Sequence, residues 1–254
     1  DHVELAAKHG VGIVIETPTW RANKDWAARL GYGDEALADK VKQSVGMLEA
    51  IRDDRDGSAP PMVISGNIGP RGDGYHPAST MTADQAQAYH AQQIETFAGT
   101  AADQVTALTL CYTDEAIGIA RAAKAADIPS VISFTVETDG RLPDGTDVSD
   151  AIAAVDKATE AAPAYYMLNC MHPTHLASNF ASAVESGRLR GIRANASRMS
   201  HVELDNAEVL DAGNPAELGE QFRNLREQSP GLTVLGGCCG SDVRHVRAIA
   251  EACI

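Results

Sequence analysis

Short apolar runs alternate with longer stretches of helical periodicity along almost the whole chain. Runs at 11–16, 62–65, 105–110, 130–135, 165–169, 189–193 and 232–236 are rich in β-branched residues and end at Gly, Pro or polar positions, which predicts seven strands. Between them, 34–52 carries Leu37, Val41, Val45 and Leu48 at spacings of three or four, the apolar stripe of a helix. The segment 82–97 opens with Thr82 and Gln85, a capping-box pair whose side chains can satisfy each other's free backbone donors. Thr113, followed by Asp114 and Glu115, starts another helix with its acids at the positive end of the dipole. Further helices are predicted at 148–161, 174–185, 215–228 and 241–252, while 195–215 fits neither period.

Strand–helix alternation with mostly apolar strands implies a parallel sheet covered by helices. An open doubly wound sheet and an eight-stranded barrel both accommodate seven strands. No Gly-rich phosphate-binding motif follows a strand, so nothing favours a nucleotide-binding sheet. The 254 residues suit one α/β domain, and no repeat or linker divides them. Loops 66–80 and 141–147 are rich in Gly and Pro; in a barrel, such strand-to-helix loops build the active-site face.

Charge and composition remove several partners. The net charge of −14 argues against nucleic acid, because Arg188, Arg190 and Arg193 are too short a basic run and read as a solvated strand end. No apolar stretch is long enough to span a bilayer, and no signal peptide is visible at the start. Five cysteines, an odd number in a chain of this size, do not suggest a secreted disulfide framework. A reducing cytoplasm is the expected compartment.

Three of the cysteines carry the chemistry. Cys170 follows the strand at 165–169, and Cys238 and Cys239 follow the strand at 232–236. Parallel strands bring their C-terminal ends to one face, so the three can meet there. Adjacent strand residues point to opposite sides, so Cys238 and Cys239 can share a metal only where the backbone leaves the strand; Gly236, Gly237 and Gly240 give it that freedom. A helix expected from Ser241 would direct its N-terminal dipole at the thiolates. Three thiolates on zinc leave one tetrahedral position open, the catalytic pattern. Such a site can bind an incoming thiol as a thiolate, a nucleophile suited to an activated methyl group. Cys111 and Cys253 read as ordinary buried hydrophobes. His172 and His175 are candidates for a fourth ligand, and His245 is a surface or packing residue.

The segments Leu235-Gly-Gly-Cys-Cys-Gly240, Leu168-Asn-Cys170 with Pro173, Gly66-Asn-Ile-Gly-Pro70 and Glu16-Thr-Pro-Thr-Trp-Arg-Ala-Asn23 resemble the homocysteine S-methyltransferase family, in its order and approximate spacing, over nearly the whole chain. The resemblance implies a (β/α)8 TIM barrel, zinc on Cys170, Cys238 and Cys239, and methyl transfer to homocysteine to give methionine. It also implies that Asn169 shapes the loop beside the metal and that Thr17 and Thr19 lie near the substrate. Two departures stand out. The family's opening Asp-Gly-Gly motif on its first strand is absent, so 1–254 reads as a single barrel domain lacking the first βα unit. Leu108-Thr109 stands where many members carry Glu-Thr, whose acid can anchor the ammonium of homocysteine. Glu16, and after it Glu137, are the nearby acids able to compensate.

The implied partners are a small-molecule thiol and a methyl donor. A betaine-type donor needs an aromatic cage, for which Trp20, Trp26, Tyr75 and Tyr112 are the candidates in a chain only 5% aromatic. The length leaves no room for folate or cobalamin modules, so S-methylmethionine or S-adenosylmethionine is the favoured donor. Two other readings stay open. Cys239 or Cys170 could act as a covalent nucleophile with His172 as base, or the barrel could bind zinc without catalysis.

Overall fold

The computed structural model describes residues 1–55, 60–75, 79–176 and 180–254. Among these residues, seven parallel strands form one sheet in sequence order. They are β1 (Ile13–Glu16), β2 (Met62–Ile68), β3 (Gln104–Leu110), β4 (Ser130–Phe134), β5 (Tyr165–Asn169), β6 (Leu189–Ala194) and β7 (Val234–Gly237). All seven lie where the apolar runs predict them. The helices are α1 (His2–His9), α2 (Lys24–Arg29), α3 (Asp34–Asp53), α4 (Ala83–Ala98), α5 (Thr113–Ala125), α6 (Val148–Thr159), α7 (Phe180–Glu185), α8 (His201–Asp205), α9 (Pro215–Gln228) and α10 (Val243–Cys253).

Alternation along the strands sorts their side chains. Ile64, Ile68, Val105, Ala107, Ile132, Phe134, Tyr166, Leu168, Leu189 and Ile192 join Val45, Phe97, Ile119 and Val155 of the helices in one apolar layer. The alternate positions turn inward and are far more polar: Glu16, Ser65, Thr106, Ser133, Asn169 and Arg193. Ser65 and Thr106 share a hydroxyl hydrogen bond of 2.7 Å between β2 and β3. The polarity of this inner layer hides the strands' true alternation from a sequence reading that scores only apolar runs.

The sheet is strongly curled. Arg193 of β6 pairs with Glu16 of β1, although five strand spacings separate them in the sheet order. At about 4.8 Å per strand, a flat sheet would hold them about 24 Å apart. Helix α1 also packs against α10, next to the two sheet edges. The architecture is a TIM-barrel-like α/β fold with seven strands, and β1 and β7 do not pair with each other.

Several helix ends follow the sequence. Thr82 accepts a hydrogen bond from the Gln85 amide, and Gln85 Oε1 accepts one from Thr82, completing the capping box. The helix expected at 174–185 is instead a 3-10 turn at Pro173–His175 and the short α7, with 177–179 outside the described residues; residues 76–78 of the loop 66–80 are likewise outside them. Helix α10 begins at Val243 rather than Ser241, because Asp242 is its N-cap and accepts from the Arg244 amide. The unplaced segment 195–215 holds α8, whose cap is a Ser200–Glu203 box. The arginine run is also corrected. Arg188 makes a two-pronged pair with Asp156, and Arg193 points into the barrel. No helix among the described residues is long and apolar enough to cross a membrane.

Candidate metal centre

Strands β5 and β7 end on the same face, and their following residues converge. Cys170 Sγ lies 2.7 Å from Cys238 Sγ and 3.9 Å from Cys239 Sγ. The three sulfurs lie within 4.8 Å of one another and could hold a metal ion; among the described residues no other His, Cys, Asp or Glu group does so. None of the five cysteines is disulfide-bonded.

The backbone explains the convergence. Cys170 takes φ +55, a left-handed conformation rare for a residue with a side chain. Its amide donates to Arg193 O at 3.1 Å. Its carbonyl accepts from His201 Nε2 at 2.6 Å. On β7, the Cys238 amide donates to Ala194 O, and the Cys239 amide to the Asn195 side chain at 3.1 Å. Gly240 follows at φ +76, where a Cβ would come 2.8 Å from Asp211 O. Only glycine lets the chain turn here and present two adjacent thiols to one point.

The three thiols cannot all ionise unaided. Hydrogen bonds from Cys238 and Cys239 hold Cys170 well below the usual thiol range, against the cost of its burial. Donating to Cys170 pushes Cys238 well above that range, and pushes Cys239 up to about 11. Ionisation of one sulfur thus opposes ionisation of the other two, and full ionisation of the set calls for a cation. Arg193 supplies a fixed positive charge beside them. Burial works against its ionisation, but Glu16, Cys238 and Cys170 outweigh that and hold its pKa above the ordinary value. Burial raises the Glu16 carboxyl, and Arg193 partly offsets this.

The other expected site residues have defined places. Asn169 is fully buried and ties β3, β4 and β5 together. Its Oδ1 accepts from the Thr109 amide at 2.8 Å and from the Ser133 hydroxyl at 2.7 Å, and its Nδ2 donates to Thr109 Oγ1 at 2.9 Å. Thr109 sits at φ +66 at the irregular end of β3. Thr17 and Thr19 are buried and bonded inward: Thr19 donates to Asn67 O at 2.7 Å, Thr17 accepts from the Asn67 amide at 2.9 Å, and the hydroxyls lie 2.6 Å apart. They brace the ends of β1 and β2. Glu16 engages Arg193 through Oε2.

Neither candidate fourth ligand joins the sulfurs. His172 Nδ1 bonds to Thr174, and His175 Nε2 donates to Arg198 O. Burial lowers the His172 pKa to about 4. His245 is fully buried, accepts from the Asp242 amide and donates to Ala212 O at 2.7 Å, a packing role. Of the four candidate rings, Tyr75 is the one in contact with the cysteines. Its pKa is raised by burial first and then by Cys170, to which it is hydrogen-bonded. Trp26 lies against Arg21 and Arg29, the Tyr112 hydroxyl accepts from the Met81 amide, and the Trp20 indole donates to Leu108 O. The residues that sequence reasoning missed are Arg193, read as solvated, and His201, in the unplaced segment. The Ser200-x-x-Glu203 capping box that encloses it was the one local clue to His201.

A barrel-like parallel sheet with three thiols at its C-terminal face defines an α/β protein with a thiol-lined site that could hold a metal ion. The homocysteine S-methyltransferase family model matches residues 7–253, and the chain belongs to that family. Among solved structures it resembles the homocysteine methyltransferase MmuM of Escherichia coli. The metallated form is 19% identical, with a TM-score of 0.73 over 98% of this chain and 83% of that one. The oxidised form is 19% identical, with a TM-score of 0.74 over 98% and 82%. The apo form is 18% identical, with a TM-score of 0.65 over 99% and 83%. At these identities the likeness concerns the fold. No curated protein sequence matches the chain significantly.

Proposed function

We propose that this protein transfers a methyl group from a sulfonium donor, S-methylmethionine or S-adenosylmethionine, to the thiol of homocysteine, with zinc held by Cys170, Cys238 and Cys239. The convergence of three sulfurs from two strand ends carries this reading. A tetrahedral zinc with Zn–S of about 2.3 Å has sulfur–sulfur edges of about 3.8 Å. The Cys170–Cys239 separation of 3.9 Å fits that edge, and the Cys170–Cys238 pair at 2.7 Å needs to open by about 1 Å. Bound there, zinc supplies a Lewis acid that keeps an acceptor thiol deprotonated near neutral pH.

The chain's own residues do the rest. Three thiolates make the site electron-rich, and the Arg193 guanidinium, which interacts with Cys238 and Cys170, offsets part of that charge. Asn169 fixes the strand end that carries Cys170. Thr17 and Thr19 form a braced wall rather than offering free donors. Glu16 Oε1 has no hydrogen-bond partner among the described residues and is our candidate for the acceptor's ammonium, where Leu108 offers none. In the reaction the acceptor sulfur attacks the methyl carbon, the carbon–sulfonium bond breaks, and its electron pair leaves with the donor sulfur as a neutral thioether. Alignment of those three atoms is what the site contributes to rate. Trp26 is taken up by Arg21 and Arg29 and the Tyr112 hydroxyl by the Met81 amide, which favours a sulfonium donor over a betaine that needs several rings around its ammonium. Free thiols suit a reducing cytoplasm.

The test is methionine formation from homocysteine with each donor separately. Zinc-loaded protein should form methionine with a sulfonium donor, lose activity to a chelator and regain it with zinc. Activity that survives zinc removal but is lost on alkylation of one cysteine would favour a covalent nucleophile. Zinc binding without methylation of any thiol would favour a binding barrel.

A further inference from the structure

We propose that His201 is a positioning residue for the three-sulfur site: by holding the carbonyl of Cys170 it fixes the left-handed turn that aims this sulfur at Cys238 and Cys239. This rests on the reading of the three cysteines as metal ligands.

The argument starts from backbone conformation. Among the described non-glycine residues, two at strand ends have positive φ, Thr109 at +66 and Cys170 at +55. Left-handed residues with side chains persist only where their surroundings over-determine them. Thr109 is held by Asn169 through its amide and hydroxyl. For Cys170 the amide is held by the β6 backbone, at Arg193 O, and the carbonyl is held by a side chain from 31 residues further on, His201 Nε2 at 2.6 Å. A carbonyl only accepts, so Nε2 carries the proton and donates.

His201 is itself held in place from several directions. It is 6% exposed and is the first residue of α8, enclosed by the capping box that joins its N-cap Ser200 to Glu203. The Tyr75 ring lies 4.0 Å from its own, and Glu137 Oε1 faces its Nδ1 at 3.4 Å. Loops after β2, β4 and β6 therefore meet on one imidazole whose shortest bond goes to Cys170. Neither ring nitrogen belongs to the cluster of possible metal-holding atoms, so the histidine acts through Cys170 and not as a ligand.

The test compares wild type with His201→Ala, His201→Gln and His201→Asn. Zinc affinity is read by competition with a chromophoric chelator, the sulfur-to-cobalt absorption by cobalt substitution, and the melting temperature on metal-free protein. A glutamine amide nitrogen can stand where Nε2 stands; an asparagine amide falls near Nδ1. His201→Ala should weaken zinc binding about 10- to 100-fold and diminish the cobalt–thiolate band, the usual cost of losing a residue that orients a ligand. His201→Gln should recover to within about 3-fold of wild type, and His201→Asn should follow alanine. Alanine within about 3-fold of wild type, or glutamine and asparagine binding zinc equally, would overturn the proposal. If alanine fails to fold, the glutamine–asparagine comparison decides. Wild-type protein that takes up no zinc at all would instead remove the underlying reading of the cysteines.

Discussion

Replacing Cys238 by serine should empty the metal site and abolish methyl transfer. The residue is anchored through its backbone, its amide donating to Ala194 O, so the turn itself can survive the change. What is lost is one of three sulfurs. A serine hydroxyl does not ionise in this range and offers zinc a weak neutral oxygen, leaving only two thiolates. Zinc content should fall from about one per chain to below about 0.1, and methionine formation by about 1,000-fold or more. Cys111→Ser is the control. That thiol is buried at the end of β3, and burial raises its pKa to about 12. Its loss should leave zinc content unchanged. A Cys238→Ser protein that keeps both zinc and activity would refute the ligand assignment.

The second large effect is on stability. Asn169→Leu conserves volume but deletes three buried hydrogen bonds at the junction of β3, β4 and β5. The Thr109 amide and the Ser133 hydroxyl are left buried without partners, at about 1–3 kcal/mol each, and Thr109 loses the side chain that secures its left-handed turn. A total of about 4 kcal/mol is expected, a large share of the about 5–15 kcal/mol typical of a folded domain. For a chain of this size that lowers the melting temperature by about 10 °C. Ser133→Ala, which removes a single partner, should cost about 1 kcal/mol. An Asn169→Leu protein as stable as wild type would show that the network is incidental.

The seven strands were legible because their apolar runs are short, most of their residues are buried, and the runs stop at clear punctuation. The cysteine trio was legible because parallel topology brings C-terminal strand ends together whatever their distance in sequence. Other features depend on tertiary contacts that leave no local trace. The Glu16–Arg193 pair joins residues 177 positions apart, so an arginine that closes the barrel interior looks like part of a solvated basic run. Glu115 opens α5 as an acid at the positive end of the dipole should. It is also fully buried, accepting from the Arg71 amide at 2.7 Å and pairing with His90 at 3.0 Å, which pins the loop after β2. Helices α2 and α8 are too short for periodicity to register; Asn23 and Ser200 cap them, and packing does the rest. The left-handed backbone at Cys170 could not be read at all, because nothing in a cysteine's neighbours along the chain predicts that conformation.

The central claim is a three-sulfur metal site with one position left for the acceptor's thiol. Titrating cobalt-substituted protein with homocysteine while recording the sulfur-to-cobalt charge-transfer band tests it most directly. The account predicts a band characteristic of three thiolates that grows, with tetrahedral ligand-field absorption retained, to saturate at one homocysteine per chain. A spectrum that homocysteine does not alter would contradict it.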